Sequence, residues 1–150
     1  MENVMVQLHS ASGQTQVLDT MIGLTRLSYL QRAIIAGSGG MELYLGLRRR
    51  GFMRVATVST SWLPRRQNAI GLLADSSPAA LETALTEISP FLSTNATIAL
   101  LIDADQNGSG LEVRAKLQQM GFQIEAGVRC QQGLVLSACR QGIGQMEKAA

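Results

Sequence analysis

Apolar and polar positions along the chain change their period several times, and each change marks an element. Between Gln14 and Leu30 the apolar residues Val17, Leu18, Met21, Ile22 and Leu24 recur near helical spacing. That predicts an amphipathic helix over 14–30, preceded by an N-terminal arm. Gly23 weakens such a helix by about 1 kcal/mol relative to alanine. "RAIIAG" follows as a short apolar run, β-branched at its centre and closed by glycine, and reads as a buried strand. "GGMELYLGLRRR" returns to helical spacing through Met41, Leu43, Tyr44 and Leu47. Arg48, Arg49 and Arg50 fall in its last turn, where the helix dipole favours cations. Gly51 suits a left-handed helix terminator, and Phe52 suits the apolar contact just beyond it.

"RVATVST" predicts a second strand, "SWLPRRQN" a connector broken by Pro64, and "AIGLLAD" a third strand. Asp75-Ser76-Ser77-Pro78 then offers a cap followed by proline at the first helical position. The helix "PAALETALTEISPFL" places Leu81, Leu85, Ile88 and Leu92 on one face, with Pro90 ending or bending it. "ATIALLID" is almost unbroken apolar sequence, as expected of a strand buried on both faces. "LEVRAKLQQM" is a helix stopped by Gly121, and "FQIEAGVRC" and "LVLSACR" are the arms of a hairpin turning at "QQG". This order predicts one α/β domain over 1–150: a three-layer, Rossmann-like mixed sheet of about six strands with a C-terminal antiparallel hairpin. Residues 1–13 and 141–150 are expected to be flexible.

Composition narrows the class without naming a partner. A chain of 150 residues with 46% hydrophobic and 16% charged residues can bury a sizeable core and is not a disordered polymer. Its apolar runs are far shorter than the roughly 20 residues needed to span a bilayer. "MENVMVQLHSASG" shows no basic segment followed by an apolar one, so a cytoplasmic location is the expectation. The two cysteines, Cys130 and Cys139, make no disulfide framework. In the predicted hairpin Cys130 sits near the turn and Cys139 pairs near Glu125, too far along the ladder to bond. The single histidine, His9, argues against a histidine-rich metal site or a local Ser/His/Asp triad.

In an open parallel sheet, ligands bind beyond the carboxyl ends of the strands. Those ends here are Gly37-Ser38-Gly39-Gly40, Ser59-Thr60-Ser61, Asp75-Ser76-Ser77 and Asp103-Ala104-Asp105-Gln106-Asn107. All four are small or polar, which suits either a ligand site or ordinary loops. "GSGG" lacks the third glycine of the dinucleotide fingerprint, since Leu43 stands there, and no Gly-Lys-Ser/Thr follows it. It follows a strand and opens a helix, so its backbone N–H groups are candidates for a carboxylate or phosphate. As a plain strand-to-helix corner it would need its glycines equally. Asp75 or Asp103 could orient or deprotonate a nucleophile, or cap a helix, or bind the glycine turn.

The helix before "AIIAGSGGMEL", the following "LLADSSP" and "IALLID", and the closing "LQQMGFQIEAGVRCQQGLVLSACR" together resemble the class I S-adenosylmethionine-dependent methyltransferases. The resemblance covers roughly residues 14–140 and is strongest at the terminal hairpin. It implies that Gly37, Ser38 and Gly39, with Gly40, form the glycine loop under the methionine part of S-adenosylmethionine. It also implies that Asp75 stands where cofactor and substrate meet. The chain departs from the family at the second strand, where "VATVST" offers Ser59 and Thr60 in place of a ribose-binding acid; hydroxyls lack a carboxylate's charge and bidentate grip. Ala36, rather than an acidic residue, precedes Gly37. The family's third strand and its helix are missing, because only about eight residues separate "VATVST" from "NAIGLLAD", and parallel crossovers usually need a dozen or more. An antiparallel pairing of these two segments is therefore an open alternative.

A bare edge at the second strand invites dimerisation, with Trp62 and Leu63 as contacts, although Trp62 would serve a monomer core as well. The rival to an active methyltransferase is a non-catalytic ligand-binding or dimeric interaction module with the same fold. "DADQNGSG" imitates the start of a calcium loop but has Arg114 where a bidentate glutamate is required. Arg48, Arg49, Arg50, Arg54, Arg65 and Arg66 could form a basic patch, yet the lack of interleaved aromatic residues argues against nucleic acid.

Overall fold

The computed structural model describes the chain outside residues 1, 60–63, 104–108 and 141–150, and outside the side chains of 2–12, 14, 103 and 109. Its elements run α1 (Glu2–Thr25), β1 (Ala33–Ala36), α2 (Gly40–Arg49), β2 (Val55–Thr57), β3 (Asn68–Ala74), α3 (Pro78–Ile88), β4 (Leu92–Asp103), α4 (Ser109–Gln119), β5 (Phe122–Cys130) and β6 (Gly133–Arg140). They form one six-stranded sheet in the order β2-β1-β3-β4-β6-β5. The first four strands are parallel, and β6 runs antiparallel to both β4 and β5.

Alternation along the strands explains the two packed layers. Ile34 and Ala36 point to the face covered by α3 and α4, where Leu81, Leu85, Ile88, Val113 and Leu117 are buried. Ala33 and Ile35 point to the opposite face, under Val17, Leu18 and Met21 of α1 and Leu43 and Leu47 of α2. Both faces of β3 and β4 are therefore covered, as their apolar sequences require.

The helix ends follow local chemistry. Ser77 caps α3, its hydroxyl accepting the Ala80 N–H at 3.1 Å, with Pro78 at the first position. Pro90 sits in a single 3-10 turn, Ser89–Phe91, that ends α3 and leads directly into β4. β4 consequently begins four residues before "ATIALLID". Gly51 (φ +91°) ends α2, and the Phe52 N–H returns to the Leu47 carbonyl at 3.1 Å. α1 differs from the expected 14–30. It begins at Glu2 and stops at Thr25, where Arg26 takes φ +56° and the Leu27 N–H returns to Ile22 at 3.2 Å. The stop is the same device as at Gly51, built without a glycine to announce it.

The segments around β2 and β3 are parallel and are not neighbours: β1 lies between them and pairs with both. The link over 58–67 needs no helix, because ten extended residues reach about 33–36 Å. Val58 packs against the α3 and α4 side, so the link sets out on the face opposite α2. β2 keeps only three residues and forms one edge of the sheet. Trp62 and Leu63 lie outside the described residues, as do Asp105 and Asn107.

The hairpin register differs from the simple count. Cys139 pairs with Gln123, because the ladder shifts between Ile124 and Ala126 and Glu125 is the extra residue. Cys130 pairs with Gly133, and both cysteines are free thiols. Partial burial, then the charge and a hydrogen bond of Glu125, raise the Cys139 thiol above its ordinary pKa. Arg50 forms an ion pair with Asp19 that ties the end of α2 to α1.

Candidate functional site

β1 ends at Ala36, and three residues turn the chain into α2. Gly37 has φ +99°, and a Cβ built there would stand 2.0 Å from the carbonyl oxygen of Ala74. Glycine is thus required twice, by backbone conformation and by the neighbouring strand. A Cβ on Gly39 would meet the Cβ of Ala74 at 3.0 Å, and one on Gly40 would meet Ile35 Cγ2 at 3.2 Å. The turn lies directly on the end of β3.

The N–H groups of this turn are used within the protein. Gly39 donates to the Ala74 carbonyl at 3.0 Å, and Gly40 donates to Gly37 at 3.0 Å. Ser38 donates its N–H to Asp75 Oδ2 at 3.1 Å and its hydroxyl to Asp75 Oδ1 at 2.8 Å. The Ser76 N–H reaches the same Oδ1 at 2.7 Å. The carboxylate expected from a ligand at the glycine turn is supplied by Asp75.

Partial burial works to raise the Asp75 pKa. The Ser76 N–H, the Ser38 hydroxyl and N–H and the Ser76 hydroxyl together outweigh it and leave the pKa below its ordinary value. Asp75 is therefore ionised near neutral pH, a strong hydrogen-bond acceptor and a weak proton acceptor. A carboxylate offers about four acceptor positions. The short bonds from Ser38 and Ser76 leave one of them, on Oδ2, for another donor.

Beside the turn lies an open cavity of about 250 Å³. Its wall includes Val17 of α1, Ser38, Gly39, Glu42 in the first turn of α2, Asp75, and Gln132 of the β5–β6 turn. Ser38, Gly39 and Asp75 are thus brought together at one wall. Gly37 and Gly40 shape the turn without lining the cavity. Ser59 is exposed beyond β2, its hydroxyl 2.8 Å from that of Thr57, and takes no part in this wall. Thr60 and the side chain of Asp103 lie outside the described residues.

Sequence reasoning missed Ala74, Glu42, Val17 and Gln132. Glu42 had a usable signal, since it lies three residues beyond Gly39 on the first turn of the helix. Ala74 had a weaker one, as a small residue closing an otherwise leucine-rich strand. Gln132 had none, because its position depends on how the hairpin folds back beside β4.

The sequence matches no protein-family model and no curated protein. Solved structures do match. The 1,6-didemethyltoxoflavin-N1-methyltransferase of Burkholderia thailandensis, solved with 1,6-didemethyltoxoflavin and S-adenosylhomocysteine, is 13% identical over 93% of this chain and 86% of that one, with a TM-score of 0.58. The ribosomal protein L11 methylase of Lactobacillus delbrueckii subsp. bulgaricus is 11% identical over 85% of this chain and 79% of its own, again with a TM-score of 0.58. An S-adenosylmethionine-dependent O-methyltransferase of Thermotoga maritima is 13% identical over 86% and 64%, with a TM-score of 0.55. At such identities the likeness is one of architecture: a sheet ordered 2-1-3-4-6-5 with antiparallel C-terminal strands, the Rossmann-like fold of the class I S-adenosylmethionine-dependent methyltransferases.

Proposed function

We propose that this protein is methyltransferase-like in function as well as in fold, binding S-adenosylmethionine at the carboxyl ends of β1 and β3 and passing its methyl group to an acceptor. The observation that carries this reading is the composition of the cavity wall. Among the described residues it holds two carboxylates, Glu42 and Asp75, and no arginine or lysine. Such a wall attracts a ligand that carries an ammonium and a sulfonium. At about 250 Å³ the cavity is somewhat smaller than the roughly 300–1,000 Å³ usual for a whole small-molecule pocket. It suits the amino-acid end, which leaves the nucleoside end to the rim beyond β2, where Thr57 and Ser59 offer hydroxyls to a ribose.

The bound group supplies an electrophilic methyl on a positively charged sulfur. The chain supplies position. Asp75 locks the glycine turn through Ser38, keeps its charge, and offers its remaining acceptor site to the ligand's ammonium. Its lowered pKa assigns it to orientation rather than proton removal. Methyl transfer of this kind draws on proximity and alignment, so a histidine base is not required.

Titration calorimetry with S-adenosylmethionine and S-adenosylhomocysteine tests the reading. Expected are micromolar dissociation constants for both, abolished by Gly39→Val and weakened about ten-fold by Glu42→Gln. Absence of binding at about 1 mM, a ceiling of roughly 4 kcal/mol in affinity, contradicts it. A second reading, a non-catalytic ligand-binding module, is favoured by one observation. Where a ribose-binding acid is expected, the end of β2 carries only hydroxyls. Binding of both ligands without methyl transfer to any offered acceptor supports that reading.

A further inference from the structure

A second cavity, of about 310 Å³, opens at the opposite end of the sheet, where the parallel strands begin. Its wall contains Arg32, Arg54, Val55, Ala56, Pro64 and Asn68. Arg32 and Arg54 immediately precede Ala33 and Val55, which are register partners on adjacent strands. Two arginines therefore line the cavity from neighbouring strands, a like-charge arrangement that costs stability when nothing compensates it. Among the described residues no carboxylate lies in the wall and neither arginine has an ion-pair partner. The link adds Arg65 and Arg66 directly after Pro64.

Both side chains are held in place from behind. Arg32 Nη1 donates to Gln67 Oε1 at 2.7 Å, and Arg54 Nη1 donates to the Leu30 carbonyl at 3.1 Å. A guanidinium has five N–H donors, so each fork keeps most of its donors for a ligand. The preorganisation lowers the ordering cost of binding. Two forks at one site call for more than the two oxygens of a carboxylate, which a single arginine can satisfy in bidentate fashion. A phosphate monoester offers three terminal oxygens and a charge of about −1.5 to −2. The rest of the wall, Val55, Ala56 and Pro64, is apolar, and a phosphate alone would leave it uncovered.

We propose that this cavity binds a phosphate monoester, its phosphate held by Arg32 and Arg54 and its organic body against Val55, Ala56 and Pro64. The site is separate from the carboxylate-walled cavity, and its charge is opposite. It does not depend on the methyltransferase reading.

Phenyl phosphate, with phenol as the uncharged control, is the probe. Calorimetry on the full chain at low salt should show saturable binding of phenyl phosphate and none of phenol. Arg32→Gln and Arg54→Gln should each weaken binding about ten-fold, the loss expected for a charge-assisted hydrogen bond. Arg129→Gln, on the far edge of the sheet, should leave it unchanged. Amide spectra of the unsubstituted protein give a readout independent of any variant's folding. Phenyl phosphate should shift Val55, Ala56 and Asn68. No saturable binding, equal binding of phenol, or shifts confined to Ser38–Glu42 would each overturn the assignment.

Discussion

Gly37→Ala should be among the most damaging single-methyl additions in this protein, and its cost can be built from the local geometry. At φ +99° an alanine is strained by about 1–3 kcal/mol. Its Cβ would also stand 2.0 Å from the Ala74 carbonyl oxygen, against the 3.0 Å below which real Cβ contacts essentially never fall. The obstacle is backbone in the middle of the sheet. It already accepts the Gly39 N–H and leads into Asp75, so it cannot swing aside as a side-chain tip would. Overpacking of this sort adds about 1–3 kcal/mol, for a total of about 2–6 kcal/mol. Gly39→Ala is the internal control. Its φ is −86°, and its Cβ meets the Ala74 methyl at 3.0 Å and the Ala74 carbonyl oxygen at an ordinary 3.5 Å. A loss of about 1 kcal/mol is expected. Equilibrium urea unfolding followed by far-ultraviolet circular dichroism measures both, with unchanged m-values confirming that the native state is what shifted. Gly37→Ala within about 1 kcal/mol of the parent, or equal losses at the two positions, would refute the argument.

Asp75→Asn should destabilise the protein by about 1 kcal/mol at pH 7, because an amide is a weaker acceptor for the Ser38 and Ser76 donors. The folded-state pKa lies below the ordinary 3.8, so the carboxylate's stabilisation is complete above that value and is lost as pH falls through the folded pKa. The gap between parent and variant should therefore close below pH 3.8 in urea titrations run across pH. Arg140→Ala should lower the melting temperature by about 4–10 °C, a loss of roughly 2–3 kcal/mol. The half-buried guanidinium donates to the carbonyls of Ser89, Leu92 and Ser93, reaches the Ser89 hydroxyl at 2.6 Å, and lies over the Phe122 ring. Arg140→Lys should recover only part of that loss in a thermal melt, since a lysine cannot span several carbonyls at once.

The centre of the sheet was legible in the sequence because β1, β3 and β4 are buried on both faces. "AIIA", "NAIGLLA" and "TIALLID" have little choice but to be central, and the terminal hairpin is marked by its turn residues. What escaped were features set by tertiary partners. The stop of α1 at Thr25 depends on an arginine adopting a conformation that glycine usually supplies. The Glu125 bulge depends on how β5 sits against β6, and it moves the partner of Cys139 by one residue, the tight turn that sets Cys130 opposite Gly133 accounting for the other. At the site, the glycine turn was legible as a corner, and the pairing of Asp75 with it was one of several readings. The sequence did not reveal that Ala74 and Asp75 consume the turn's own donors, because that requires β3 to end beside β1 in this register. Nor could it show two arginines side by side at the far end of the sheet, since β2 and β1 become neighbours only after the crossover forms.

The central claim is that a ligand with the charge of S-adenosylmethionine sits between α1, the glycine turn and the β5–β6 turn. Amide spectra recorded while S-adenosylmethionine is added address this claim, because they report place as well as affinity. The account predicts saturable shifts at Ser38, Gly39, Glu42, Ser76 and Gln132, with Val55 and Asn68 unmoved. A spectrum that stays unchanged at saturating ligand, or that moves only at the arginine-lined end, contradicts it.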